Sequence, residues 1–507
     1  MLVHQFLTHT AARLPHKVAL VSGERRYTYA ELDKMADRLA VHLVSQGLRR
    51  GDRVVIHLHN SVEAVTGIFA ALKAGGCFVM VNASTKPDKL KFILNNCRAT
   101  AALMDGRTAE AGLKDLCGQV PSLKCVVLCG PARTGGGDRW QGFEQIQAGP
   151  APSPLPQVNI DLDLACLVYT SGSTGEPKGV MCDHSNVDFA SDSIMSYLGS
   201  REDDIVLGVL PLSFDYGLYQ LLMTFKCGGT LVLERSFAYP ALILQRIQEE
   251  RVTGFPGVPT IFAMLLNMDR SAFDLSSLRY ITNTAAALSP AQVLGIRNAF
   301  PGVTLFSMYG LTETKRTLYL PPNQLALRPG SVGIPIPGTE AWLEDETGRR
   351  LEPGGTGELV VRGRHVMRGY WEAPEATAAR YRPGALPGER LCYSGDLFRT
   401  DEEGYFYFVS RRDDIIKTRG EKVAPKEVEN ALHLLPGVMA AVKGVPDPVI
   451  GEAVKAFITV TGTPLTEAQV IAHCRAHLED FMVPKYVEFI DQMPMTSSGK
   501  INKTGLV

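Results

Sequence analysis

A chain of 507 residues exceeds what one typical hydrophobic core accommodates, so two or three domains are expected. Its 45% hydrophobic and 21% charged residues are ordinary globular values, and a net charge of −1 supplies no cationic field for nucleic acid or for an anionic membrane surface. Ten cysteines without a CxxC pair or metal-ligand spacing read as free buried thiols of a reducing cytoplasm.

The opening MLVHQFLTHTAARLP spaces its apolar residues as an amphipathic helix does, and it has no basic stretch leading into an apolar one, as an export signal would. No run reaches the roughly 18 apolar residues that a membrane span needs, and the expected location is cytoplasmic. DRVVIHL (52–58) predicts a strand, SVEAVTGIFAALKAGG (61–76) a helix and CFVMVN (77–82) a second strand. LKCVVLCG (123–130) and LACLVYT (164–170) continue the strand series. Such alternation predicts α/β layers with mostly parallel strands. The Gly- and Pro-rich residues 131–160 read as a surface connection within one domain, because the α/β pattern resumes after them.

The last of these strands runs into YTSGSTGEPKG (169–179), where glycines, hydroxyls and a lysine crowd together. Glycines let backbone N–H groups converge on an anion, the hydroxyls donate further bonds, and Lys178 supplies positive charge. The stretch is not a P-loop: counted from Gly172, the GxxxxGK[ST] pattern fails at Pro177 and again at Gly179. A flexible Ser/Gly surface loop is the competing structural reading.

Past residue 330 short β-rich pieces with frequent turns take over, as in GELVVRG and GYFYFVS. The charged segment RRDDIIKTRGEKV (411–423) precedes a last small pattern: KEVENALHLL (426–435) as helix, AFITV (456–460) as strand and TEAQVIAHCRAHLED (466–480) as helix. A boundary is placed at 413, dividing the chain into a large domain, 1–412, and a small one, 413–507.

Five segments in order along the chain carry a resemblance: YTSGSTGEPKGVM, YGLTET (309–314), YSGDL (393–397), RRDDIIKTRGEKV and PMTSSGK (494–500). Together they resemble the motifs of the AMP-forming adenylating superfamily, which comprises acyl-CoA ligases, adenylation domains of peptide synthetases and luciferases. The run YGLTETKRTLYLPP and the compact length look most like bacterial biosynthetic acyl-CoA ligases. The resemblance implies a large N-terminal domain of layered α/β subdomains plus a β-rich subdomain, followed by a small mobile α+β domain. It also implies a reaction in which ATP and Mg²⁺ convert a carboxylate into an acyl-adenylate, which the thiol of coenzyme A then attacks.

On that resemblance Thr170, Ser171, Ser173, Thr174 and Lys178 hold the β- and γ-phosphates, with Gly172 and Gly175 shaping the loop. Tyr309 stacks on adenine, opposite the TNTAAAL stretch (282–288) that contains Ala285. Thr312 meets the α-phosphate and Glu313 holds Mg²⁺. Asp396 binds the ribose diol, aided by Arg411, and Lys500 steadies charge on the carboxylate and α-phosphate oxygens. Rotation of the small domain about Asp413 would admit the thiol, its pantetheine arm passing Gly420. Taken singly each has a bland reading: Tyr309 as a core ring, Asp396 as a turn former beside Gly395, Lys500 as a solvated side chain. Their joint order selects the functional one.

LPLSFDYGLYQ (210–220) matches the family segment that enters the acyl pocket and contributes Phe214, Asp215 and Tyr216. Asp215 matches a position where amino-acid-activating members hold the substrate ammonium. A buried carboxylate needs a donor, either such an amine or an internal partner such as Lys315 or Arg316. Those two cations could instead grip a second carboxylate or a polar tail. The run Thr284-Ala285-Ala286-Ala287 departs from the glycine-rich form usual on the adenine side. Coenzyme A is the expected acceptor; the alternatives are a separate carrier protein loaded with an amino acid, or an amine in an amide-forming ligase. A homodimer is compatible with each. A nucleotide-binding regulator without chemistry would be expected to lose Lys500 or Glu313, and the sequence has both.

Overall fold

The computed structural model describes residues 1–506 apart from 108–115, 131–138, 172–176, 287, 419–420, 448–449 and 497–498. Among the described residues the strands form three sheets. The first runs from edge to edge through Trp140–Gly142, Cys125–Cys129, Ala99–Asp105, Arg53–Leu58, Cys77–Asn82, Leu164–Ser171 and Pro177–Asp183. All neighbours are parallel except the last pair. Its inner strands are buried along nearly their whole length, which is why they read as continuous apolar runs rather than alternating ones.

The second sheet starts α/β-like, with Ile205–Gly208, Gly254–Gly257, Tyr280–Asn283 and Thr304–Tyr309 parallel. It turns antiparallel at Leu318–Leu320 and ends in a meander of Phe406–Arg411, Arg390–Thr400, Thr356–Gly363 and Thr339–Glu344. The β-rich texture past residue 330 is this meander.

Two helices that are apolar all round lie inside the large core, Val62–Lys73 and Asp215–Cys227. Ser61 caps the first by accepting from the Ala64 N–H, and the left-handed Gly228 ends the second. Phe69 and Phe225 join them, stacked 5.5 Å apart and 8° from parallel. The start of Asp215–Cys227 is thereby fixed at the edge of the active-site region.

The third sheet holds Glu421–Val423, Ile416–Thr418, Gly451–Val460 and Val438–Asp447, with Tyr486–Phe489 parallel to Gly451–Val460. Helices Pro425–Leu432 and Glu467–His477 pack on it through Val428, Leu432, Val470 and Cys474, a core separate from the large one. The chain leaves the second sheet at Arg411 and enters the third at Ile416; Asp413 lies in the intervening turn Arg412–Asp414.

The α/β architecture with a small C-terminal unit is the one expected. One expectation needs correction. Within 131–160, read as a plain connection, Trp140–Gly142 adds a strand to the first sheet and Phe143–Gln147 forms a helix that buries Phe143 and Ile146. The flanking glycines and prolines hide this short pair in the sequence. Nine described cysteines are free, eight of them buried, and no described helix is long and apolar enough to cross a membrane.

Candidate active site

The antiparallel strands Leu164–Ser171 and Pro177–Asp183 carry the Gly/Ser/Thr segment between them, with Thr170 opposite Lys178 in register. Ser171 ends the first strand; Gly172, Ser173, Thr174 and Gly175 lie outside the described residues. Segment 368–371 runs alongside the second strand. The Met181 N–H donates to the Gly369 carbonyl at 2.9 Å, and the Trp371 N–H to the Gly179 carbonyl at 2.7 Å. This pairing sets Tyr370 beside Lys178, whose Nζ is 5.8 Å from the ring centre. The Tyr370 hydroxyl donates to Glu313 Oε1 at 2.5 Å. Arg380 backs the pair: its Nε donates to the Tyr370 hydroxyl at 3.4 Å and its Nη1 to the Tyr393 carbonyl at 2.9 Å. Sequence reasoning missed Tyr370 and Arg380. The aromatic pair after Gly369 was the one local signal, and it is weak.

Glu313 belongs to a tight loop, 310–317, joining Thr304–Tyr309 to Leu318–Leu320. The Thr317 N–H closes it on the Tyr309 carbonyl at 2.9 Å. The Lys315 carbonyl oxygen lies 1.7 Å from where a Cβ on Gly310 would stand, so glycine is required there. Thr312 is half-buried in this loop. Lys315 has φ +58°, the left-handed region, and Lys315 and Arg316 are only 1% and 2% exposed.

Next to the loop, Tyr309 donates its hydroxyl to Asp396 Oδ2 at 2.6 Å, and its ring meets Phe398 edge-on at 4.8 Å. Arg411 stands directly across the strand pair from Asp396, with its Nε 3.8 Å from Oδ1. Burial pushes the Asp396 carboxyl above its ordinary value, against the opposing pull of the Tyr309 hydroxyl and of Arg411. Ala285 follows the strand Tyr280–Asn283 with φ +76°, a conformation in which glycine would be unstrained.

Lys500 comes from the small C-terminal unit. A turn closed by the Thr496 N–H on the Lys500 carbonyl at 2.7 Å carries it. That turn docks on the large unit, where the Thr260 hydroxyl donates to the Gly499 carbonyl at 3.0 Å. Lys500 Nζ then lies 5.5 Å from the centre of the Phe214 ring. Burial lowers its pKa from the ordinary lysine value and Arg411 lowers it further, while the carboxylates of Asp215, Asp396 and Glu313 oppose both.

Phe214, beneath Lys500, is the N-cap of helix Asp215–Cys227. Tyr216 is fully buried and its hydroxyl donates to the Thr282 carbonyl at 2.8 Å, so it forms wall rather than a free donor. Asp215, in the first turn, acts electrostatically on Lys315 and Lys500. Lys315 Nζ makes no sound hydrogen bond and lies 5.7 Å from the Tyr219 ring centre. Contacts thus run from Lys178 through Tyr370 to Glu313, from Tyr309 through Asp396 to Arg411, and from Lys500 to Phe214, which precedes Asp215. Asp413 stands apart in its turn, and Gly420 lies outside the described residues.

Residues 7–371 match the AMP-binding enzyme family, and residues 427–500 match the AMP-binding enzyme C-terminal domain. A feruloyl-CoA synthase from an Amycolatopsis species is 36% identical over 494 residues, covering 96% of this chain and 95% of the relative. A long-chain-fatty-acid–CoA ligase from Bacillus subtilis is 31% identical over 533 residues, covering 100% of this chain and 94% of its own. Among solved structures, an anthranilate CoA ligase in complex with anthranoyl-AMP superimposes with a TM-score of 0.91 at 28% identity, covering 100% and 96% of the two chains.

Proposed function

From the premise that the chain belongs to the AMP-binding enzyme family, as an AMP-forming ligase joining a carboxylate to coenzyme A, we propose the following division of labour among its residues. A carboxylate oxygen of the substrate bonds to the α-phosphorus of ATP and pyrophosphate leaves. Lys500 stabilises the negative charge shared by the carboxylate and α-phosphate oxygens as that bond forms. Thr312 donates on the same side. Thr170, Lys178 and the hydroxyl-rich segment between them hold the leaving phosphates. Asp396 and Arg411 hold the ribose, and Tyr309 lies against adenine with Ala285 across from it.

Glu313 suits Mg²⁺. Magnesium is commonly held by one or two carboxylates with substrate phosphates and water completing the shell, and no cluster of three acidic, histidine or cysteine ligands exists among the described residues. Tyr370 fixes the Glu313 carboxylate through their hydrogen bond. When bound, the metal neutralises charge on the phosphate oxygens. In the second half-reaction the coenzyme A sulfur bonds to the acyl carbon and AMP leaves. Lys500 must then withdraw, and the turn at Asp413 is where the chain would pivot, opening a path past Gly420.

The observation that carries this reading is the docking of the Lys500 turn on the large unit, which sets Gly499 against Thr260 and the Lys500 ammonium over Phe214. The curated relatives that match nearly their whole length are CoA ligases of simple acids such as a feruloyl-CoA synthase, which favours a simple acid over an amino acid. The supply of ATP and coenzyme A suits a cytoplasmic location. The test is pyrophosphate release with Mg-ATP across a carboxylate panel, with and without coenzyme A, and with Lys500→Ala as control. Multiple turnovers that depend on coenzyme A support the ligase. Release that ignores coenzyme A and prefers amino acids would move the acceptor to a carrier protein or an amine.

A further inference from the structure

Arg316 is 2% exposed, and its Nε and Nη2 have no hydrogen-bond acceptor. Its guanidinium lies 4.4 Å from the centre of the Tyr216 ring. An aromatic face attracts a cation but accepts none of its directed N–H bonds. A guanidinium does not shed its proton, so burial without an anion is among the most costly arrangements a protein can hold. The neighbouring hydroxyls do not accept from it; they donate elsewhere, Tyr216 to the Thr282 carbonyl and Tyr197 to the Met308 sulfur at 2.9 Å. The nearby carboxylate, Asp215, acts on Lys315 and Lys500. Among the described residues no carboxylate forms an ion pair with Arg316, and its Nε and Nη2 remain without an acceptor.

The direction of the acceptor that Arg316 lacks follows from the wall. Lys500 Nζ stands over Phe214, the Phe214 ring meets the Tyr216 ring edge-on at 6.2 Å, and Arg316 stands over Tyr216. Two cations are therefore set at the ends of a path two aromatic rings long. We propose that the acid substrate is a diacid: one carboxylate is adenylated beside Lys500, and the second, unreacted carboxylate pairs with Arg316, the spacer lying against the half-buried Phe214 ring. The proposal rests on the adenylation reading above. The distal carboxylate takes no part in either bond change, so Arg316 holds the same group in the acid, the adenylate and the thioester. The product is a half-acid thioester.

The test needs no variant at first. With the full-length wild-type chain and Mg-ATP, kcat/KM for pyrophosphate release is compared between straight-chain diacids, an aromatic diacid, and the monomethyl ester of each. The expected result is at least about a tenfold preference for the best diacid over its own ester, the size of one charge-assisted hydrogen bond left unmade. Arg316→Met abolishes the preference and Arg316→Lys restores part of it. Equal or better use of the ester by the wild type, or a preference that survives Arg316→Met, overturns the proposal. If no acid releases pyrophosphate, the adenylation reading fails instead. Calorimetric titration of the wild type with the same diacids and esters then decides the Arg316 site, equal affinities overturning it.

Discussion

Glu313 and Asp396 each accept a tyrosine hydroxyl, at 2.5 and 2.6 Å, and each has an arginine close by, whereas Arg316, buried more deeply, leaves its Nε and Nη2 without an acceptor. The end of the site proposed to hold the nucleotide is kept in shape by its own hydrogen bonds before any ligand arrives. Such groups are oriented in advance and need little rearrangement when phosphates or ribose come in. The acyl end keeps an unanswered charge, which is tolerable only if a substrate supplies the counter-charge. On the proposed assignment, groups that meet the same ligand atoms in every turnover are paired in advance, and the group that selects the substrate is left open.

The contrast can be broken first at the residue both ends share. Lys500→Ala should lower pyrophosphate release by about 10²–10³-fold, as the loss of one preorganised charge donor does, with little change in the thermal melting curve. A smaller change would move the central charge role elsewhere. Tyr370→Phe removes one hydrogen bond from the paired end. It should weaken the apparent Mg²⁺ affinity by roughly tenfold, read from pyrophosphate release against Mg²⁺ concentration, while saturating metal restores most of the rate.

Asp215→Asn probes the acyl end through pH. Lys500 must be protonated to stabilise anionic oxygens, and its pKa lies below the ordinary 10.5, so activity is lost as pH rises through that lowered value. Asp215 opposes the lowering, so its removal should move the alkaline limb of the rate profile further down. An unmoved limb would separate Asp215 from Lys500. The smallest effect is expected at Ala285. Relief of about 1–2 kcal/mol of left-handed strain is offset by roughly 0.4–1 kcal/mol of added unfolded-chain entropy, so Ala285→Gly should stabilise by about 1 kcal/mol or less in urea denaturation.

Strands Cys77–Asn82 and Cys125–Cys129 and helix Val62–Lys73 were legible because each carries its own apolar pattern. Phe143–Gln147 was not, since a five-residue helix is too short to show a period and sits behind glycines. In the site, legibility follows sequence distance. Asp396 and Arg411 could be named together because each belongs to a compact motif, and the sheet then sets them opposite one another. Tyr370 reaches Glu313 from 57 residues away, through backbone bonds between segment 368–371 and the strand Pro177–Asp183, and no spacing rule encodes that. The docking of Gly499 on Thr260, 239 residues apart, is hidden for the same reason.

The buried cysteines have a consequence for an enzyme whose second substrate is a free thiol. Thiol–disulfide exchange needs an accessible thiolate, and eight of the nine described cysteines are shut away from solvent. Burial pushes Cys97 and Cys125 up to about 12, so their thiolate fraction near neutrality is negligible. Among the described cysteines Cys227 alone is partly open, and its thiol too is pushed up to about 11. Oxidised coenzyme A, which accumulates wherever the reduced form is handled in air, therefore finds little among the described cysteines to form a mixed disulfide with.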